Sequence, residues 1–430
     1  MRAVAPTSGR VHGLAARGAA RPAGPRTAPW AVLRHRDYRL VWLGQTVSGV
    51  GTFMQVVGQS LLVLRLSGGS PVALGAVSLA QAAAFIAFSL IGGSVVDRFP
   101  KRRVLLVTQS LLLALSATLA VLTATGAETL TLVVALAFCS GVVASFDQPA
   151  RSALLPHLVP RAELPRATAL NALVMTAAGT VGPALAGLTS ATLGLTVNFA
   201  VNAVGFAVVL ACLALVRTDA PPAAAASRQP LLRSVGAGLA VVAGHAGLRS
   251  VVTGYGLLLL LGPSPSVVLP LYAAQALDAG GAQLGLLFSA VGAGTVLASG
   301  VQALLGSGSR SRVFLTALAV WAGALVVFAS SSSLLLCAAA LLVHGAARNV
   351  VGTTAVTLMQ LLSPDEARGR VMSLNTLLAN GVRPLGDFGL SAVMAATSVG
   401  FAAGAAGALV GLYAVARQVT AAREPAAAAA

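Results

Sequence analysis

The sequence predicts an all-α membrane protein with twelve transmembrane helices in two pseudo-symmetric six-helix halves. Three observations predict it. Only 9% of the 430 residues are charged and 57% are hydrophobic, with a mean hydropathy of +0.87, whereas a soluble domain carries about 25% charged residues. The apolar residues gather into twelve runs near the roughly 20 residues that cross a bilayer as a helix. The basic residues fall almost wholly on one side of the implied path. Together these exclude an ordinary soluble domain. They also exclude a disordered chain, which would be poor in apolar residues.

The runs lie at about 40–64, 71–96, 103–124, 128–150, 167–190, 193–216, 248–274, 281–304, 313–330, 332–361, 371–395 and 398–416. Several are joined by short Gly, Ser or Thr links, which make antiparallel neighbours. Residues 1–29 are rich in Arg, Ala, Pro and Gly and lack the apolar stretch of about seven residues that a secretory signal needs. They read as a disordered cytoplasmic tail, with a wrongly assigned start codon as the alternative. Residues 217–233 form the long polar break, a cytoplasmic linker between an N-terminal half (30–216) and a C-terminal half (234–417). Residues 231–247 read as a surface helix, and 418–430 as a second disordered cytoplasmic tail.

The net charge of +17 would suggest nucleic acid in a soluble protein. Here 25 of the 28 bases fall in loops and tails that share one side. Arg65 lies on the other side, and Arg348 and Arg383 lie within spans. Cytoplasmic loops of membrane proteins carry this excess. The charge is therefore an orientation signal: a multi-pass protein of the cytoplasmic membrane with both termini cytoplasmic. Its partner is the lipid bilayer, whose anionic lipids attract such bases, and no nucleic acid is implied. All but one of the 28 bases are Arg, which with abundant Ala and Gly suggests a GC-rich bacterial genome.

Two segments repeat at an offset of 204. Leu154, Leu158, Pro160, Arg166, Leu170 and Asn171 coincide with Leu358, Leu362, Pro364, Arg370, Leu374 and Asn375. A repeat that long spans six helices, the arrangement of transporters built from two parallel halves.

The loop between the second and third spans reads GGSVVDRFPKRR, with Gly93, Asp97, Arg98, Lys101, Arg102 and Arg103. Gly permits close helix packing, Asp97 can cap a helix or pair with a base, and the bases anchor the cytoplasmic surface. The chain here resembles the major facilitator superfamily, whose signature loop locks the outward-open state. The glycine usual after Asp-Arg is Pro100, and the matching second-half loop, 306–312, keeps bases without the acid. Residues 34–51, 147–187 and 368–386 narrow the resemblance to the enterobactin-exporter-like branch, the transmembrane secretion effectors. It covers about 30–416.

That resemblance implies a major facilitator fold and secondary transport. It also implies proton-coupled efflux of a small hydrophobic or amphipathic cargo: a drug, a siderophore or a secondary metabolite. Gly179, Gly182, Pro183 and Gly187 look like a degenerate antiporter motif. They have two readings, simple helix packing or a coupling role. The resemblance places the first, fourth, seventh and tenth spans around the cavity, and hence His344 and Arg348 near the substrate path. The branch often carries an acid at the position of Thr52.

Ionisable groups inside spans are functional suspects. Arg383 and Asp387 are four residues apart on the eleventh span. They are either an internally neutralised pair that pins helices, or a site where Arg383 tunes Asp387 for proton or substrate binding. Asp147 divides the same way, with a helix-end cap favoured. Thr52, Gln55 and Gln59 share one face of the first span, as cavity lining or as interhelical hydrogen bonds. Asn171, Asn198 and Asn202 read as interhelical contacts, and His157 and His245 as exposed. Cys139, Cys212 and Cys337 read as small core residues, without metal or disulfide spacing. No enzyme constellation, cofactor or metal motif is apparent. The absence of a Gly-rich phosphate loop leaves an ion or substrate gradient as the drive. A monomer is expected. The alternatives are an importer or uniporter of the same fold, or a non-transporting membrane sensor or assembly subunit.

Overall fold

The computed structural model describes residues 29–218, 231–277, 280–304, 310–364 and 366–427. The first 28 residues and most of the linker lie outside that set, as does the core of the 306–312 loop. A short 3₁₀ turn, Pro29–Arg34, leads into the first half. Its helices are α1 (Arg36–Leu66), α2 (Pro71–Arg98), α3 (Lys101–Thr125), α4 (Leu130–Leu158), α5 (Leu164–Thr192) and α6 (Thr196–Leu215). The second half contains α7 (Leu231–Gly244), α8 (Ala246–Leu261), α9 (Pro265–Gln275), α10 (Gly281–Leu304) and α11 (Arg310–Ala329). It continues with α12 (Leu334–Leu362), α13 (Arg368–Leu377), α14 (Arg383–Ala396) and α15 (Val399–Ala427).

Ten of these helices are long and apolar enough to cross a bilayer, and α8 with α9 makes an eleventh, bent by 41°. The bend has a local cause. Gly262 and Pro263 interrupt the hydrogen-bond ladder, and Pro265 restarts it at the first turn, where its missing N–H costs nothing. The helical run from Arg368 to Ala396 holds the place of the eleventh predicted span, 371–395. It passes through a π-helical turn at Leu378–Val382, just before Pro384, which has no N–H to offer the carbonyl of Asn380.

The repeat is visible in the packing. Gly141 on α4 meets the backbone of Gln81 on α2, and Gly345, 204 residues later on α12, meets the backbone of Val291 on α10. Gly182 packs on the Val50 carbonyl of α1, and its counterpart Gly386 packs on the Leu260 carbonyl of α8.

The halves meet mainly through two helix pairs, α5 with α10 and α2 with α14. A Cβ on Gly187 would come within 2.5 Å of the Gly281 carbonyl and 2.6 Å of the Gly285 Cα. A Cβ on Gly75 would come within 2.9 Å of both Phe388 Cα and Ser391 Oγ. Positions 187 and 391 are again related by 204, so the two seams are symmetry-related. Both lie toward the end of the bundle that holds the tight Gly68–Gly69, Gly126 and Gly194 turns, away from the chain termini. The α7 surface helix packs on α13 at the opposite end, within one half.

Four expectations are corrected. The fourth span runs on to Leu158, so Asp147 lies inside a helix and does not cap one. The seventh span is two helices, not one. Helix α15 continues to Ala427, where the sequence predicts a disordered tail from 418. Of the three cysteines, Cys337 is buried but Cys139 is exposed on the outside of α4, where lipid rather than protein would cover it.

Candidate functional site

The break in the seventh span is held by the eleventh. Asp387 is buried, and its two carboxylate oxygens are both used. Oδ1 accepts the Ser264 backbone N–H at 2.9 Å, and Oδ2 accepts the Ser264 hydroxyl at 2.6 Å. These bonds place a carboxylate at the N-terminus of α9, where unpaired N–H groups and the helix dipole favour negative charge. Arg383 does not pair directly with Asp387; its Nε donates to the Ser264 hydroxyl at 3.1 Å. Ser264 therefore stands between the two charges. The close approach of Gly386 to α8 sets α14 at the depth this contact needs.

Arg348 on α12 lies within electrostatic reach of Arg383, Asp387 and the Tyr255 phenol of α8. It is half-buried and makes no hydrogen bond or ion pair with a described residue. His344, one turn away, was expected at the cavity. The structure instead packs it into the core of the second half, 2% exposed. Its ring lies against Trp321 of α11, with centroids 5.3 Å apart. Trp321 in turn covers Gly262 at the break. His344 Nδ1 and the Trp321 indole N–H are both buried without a hydrogen-bond partner.

In the first half, Gln55 Oε1 accepts from Ser116 of α3 at 2.7 Å and from the Asn202 side chain of α6 at 2.8 Å. Thr52 donates to the same Asn202 at 3.3 Å. Asn198 bonds Thr189 and Ser190, and Asn171 accepts from Tyr38. Gln59, partly buried, lies further along the face of Gln55. Thr52 and Gln55 are thus tied into hydrogen bonds between α1, α3 and α6. Asp147 accepts from Thr108 and Gln109 of α3 at 2.8 and 2.7 Å and pairs with Arg151 at 2.8 Å. Arg151 also lines a mostly apolar cavity of about 350 Å³ among α1, α3, α4, α5 and α6, with Gln45, Leu105, Leu155, Asn171 and Met175.

The loop motif closes the first half at its terminal end. Lys101, 3% exposed, donates to the Val96 carbonyl at 2.6 Å, capping α2. Arg102 donates to the Leu213 and Ala214 carbonyls at 2.8 Å, and Arg36 to Leu215 at 3.1 Å, capping α6. Cations belong at helix C-termini, where the last carbonyls lack partners. Arg98 and Arg103 are exposed, and Gly93 and Asp97 are partly buried. Gly179 and Gly182 face Phe53 of α1, and Gly187 faces α10 across the seam. The glycines of the α5 stripe thus fill helix contacts on two sides.

Two partners were missed in the sequence. Ser264 sits in Gly-Pro-Ser-Pro, a breaker strong enough to have divided the apolar run. Tyr255 gave no signal beyond being a polar tip in an apolar span.

The family model for transmembrane secretion effectors, a major facilitator superfamily family, matches residues 27–429. The chain belongs to that family. As a major facilitator superfamily transporter it is a multi-span membrane protein and not an enzyme. It is similar to the multidrug efflux pump Tap of Mycolicibacterium fortuitum, 28% identical over 81% of this chain and 86% of that one. It is also similar to an uncharacterized MFS-type transporter of Sinorhizobium fredii, 30% identical. That match spans 54% of this chain and somewhat over half, 58%, of its relative. Among solved structures, a bacterial homologue of the iron transporter ferroportin in an inward-facing state superposes with a TM-score of 0.66 at 19% identity, covering 88% of this chain and 98% of that one. That likeness speaks for the fold.

Proposed function

We propose that this transporter exports a small hydrophobic or amphipathic molecule across the cytoplasmic membrane in exchange for protons, by alternating access. The cargo would be a drug, a siderophore or a secondary metabolite. Family membership supports secondary transport, and similarity to a named efflux pump supports the outward direction. With the termini in the cytoplasm, the joined seams lie on the outer side, and the conformation is inward-facing. The signature loop, Gly93 to Arg103, serves as the gate on the cytoplasmic side. The stripe Gly179, Gly182, Pro183 and Gly187 forms part of the outer gate.

The observation that carries the coupling is the Asp387 cap. While charged, Asp387 holds the start of α9, and α9 packs against α1 and α2 at the joined end. Protonation removes an acceptor and its attraction to the helix dipole, which frees the outer part of the seventh span to move. Arg383 donates to the same hydroxyl, so its guanidinium stands next to this contact. Asp147, bonded on both oxygens, is the second candidate. A knockout susceptibility and accumulation panel finds the cargo. Everted vesicles then test coupling: adding cargo dissipates an inside-acid gradient, and Asp387→Asn abolishes this while leaving cargo binding. Absence of cargo-dependent flux in proteoliposomes would refute the transporter reading, and unchanged proton-driven flux in Asp387→Asn would refute the coupling role.

A further inference from the structure

The second half carries more positive charge at mid-span than its own acid neutralises. Two guanidinium groups, Arg348 and Arg383, share one carboxylate, and the N-terminus of α9 adds positive dipole at the same point. Both oxygens of Asp387 already accept a hydrogen bond from Ser264. Arg383 uses only its Nε, on the Ser264 hydroxyl. Its two terminal nitrogens, the whole guanidinium of Arg348 and the Tyr255 hydroxyl make no hydrogen bond to a described residue. None of these atoms is among the fully buried polar atoms that lack a partner, so each keeps some accessible surface. The arrangement brings planar donors from α12 and α14 and a phenol from α8 within electrostatic reach of one another.

Such a cluster is costly to leave inside a membrane without a counter-charge, and Arg donors suit bidentate binding of carboxylate or phosphate oxygens. Among the described residues, Arg151 inside the bundle has Asp147, and Arg102 has the end of α6. Arg65, at the far end, is paired with Glu128. Arg348 differs from these.

We infer that Arg348, supported by Arg383 and Tyr255, is a receptor for an anionic group on the cargo, so that the transported molecule is an amphipathic anion. This rests on the transporter reading and narrows its substrate class. The oxyanion of the cargo seats on the donors of Arg348. Asp387 stands beside the receptor, and the cargo's charge competes with it for Arg383.

The test uses three probes of one shape: 1-naphthoate, 1-naphthol and 1-naphthylmethylammonium. Binding to the purified full-length protein in detergent is measured by equilibrium dialysis. We expect naphthoate to bind at least tenfold more tightly than naphthol, and the ammonium compound more weakly than either. Arg348→Gln should remove the preference for the anion while leaving naphthol binding within twofold, and Arg348→Lys should restore part of it. Size-exclusion and thermal-unfolding profiles show whether each variant is folded; a misfolded Arg348→Gln is replaced by Arg348→Lys, for which a reduced preference is the expected result. Equal affinity for naphthoate and naphthol in the unaltered protein, or an intact preference in a folded Arg348 variant, overturns the inference. So does failure of all three probes to bind. The proteoliposome flux of the efflux cargo is independent of these probes, so a lost anion preference beside persisting cargo flux overturns the receptor alone.

Discussion

Gly187→Ala tests the seam between the halves most directly. The added Cβ would stand 2.5 Å from the Gly281 carbonyl oxygen and 2.6 Å from the Gly285 Cα. Both neighbours are backbone, so no flexible side-chain tip can turn away. Overpacking of this kind costs about 1–3 kcal/mol. Alternating access separates α5 from α10 at this end, so the opposite conformation does not carry the clash. The penalty therefore converts into a population shift away from the joined-seam conformation of about fivefold to 150-fold. Spin labels on cysteines placed at Thr192 and Gln283, in a background lacking Cys139, Cys212 and Cys337, report the separation of the two helix ends. Double electron–electron resonance in lipid nanodiscs should show the short distance lose population to a longer one. Gly300→Ala on the same α10 helix meets nothing within 4 Å and should leave the distribution unchanged. A folded Gly187→Ala protein with an unaltered distribution would refute the argument that this seam opens during transport.

Three further outcomes are expected. Arg102→Ala removes two hydrogen bonds from the end of α6 and should lower stability by about 1–2 kcal/mol, seen as a lower unfolding temperature in detergent, with Lys restoring part of it. Asp147→Ala leaves Thr108 and Gln109 without their acceptor and should cost about 1–3 kcal/mol, whereas Asp147→Asn keeps an acceptor and loses mainly the pair with a partly exposed Arg151, worth about 1 kcal/mol or less; loss of proton-driven flux in a stable Asp147→Asn protein would mark Asp147 as a coupling group. Ser264→Ala removes one of the two donors to Asp387 and the acceptor for Arg383, and should slow proton-driven flux while leaving naphthoate binding intact; unchanged flux would show that the cap at the seventh-span break is not part of the coupling path.

The sequence by itself determined the environment, the helices and the pairing of the halves. Low charge and long apolar runs dictate membrane spans because a bilayer offers backbone groups no water to bond, and the offset of 204 survives as matched glycine contacts at 141 and 345 and at 182 and 386. It also singled out Arg348, Arg383 and Asp387, since an ionisable residue in an apolar run is conspicuous wherever it points. Direction was beyond it. Helical spacing put Arg383 beside Asp387, but only the tertiary structure inserted Ser264 between them, because the bend at Gly262–Ser264 delivers a helix N-terminus to the carboxylate. Spacing likewise grouped His344 with Arg348, and packing separated them: the His344 ring turns to Trp321 in the core, while Arg348 keeps its donors free. A sequence period fixes which residues share a helix face. What that face meets depends on how the helices bend and pack, and contacts between residues more than a hundred positions apart decide it.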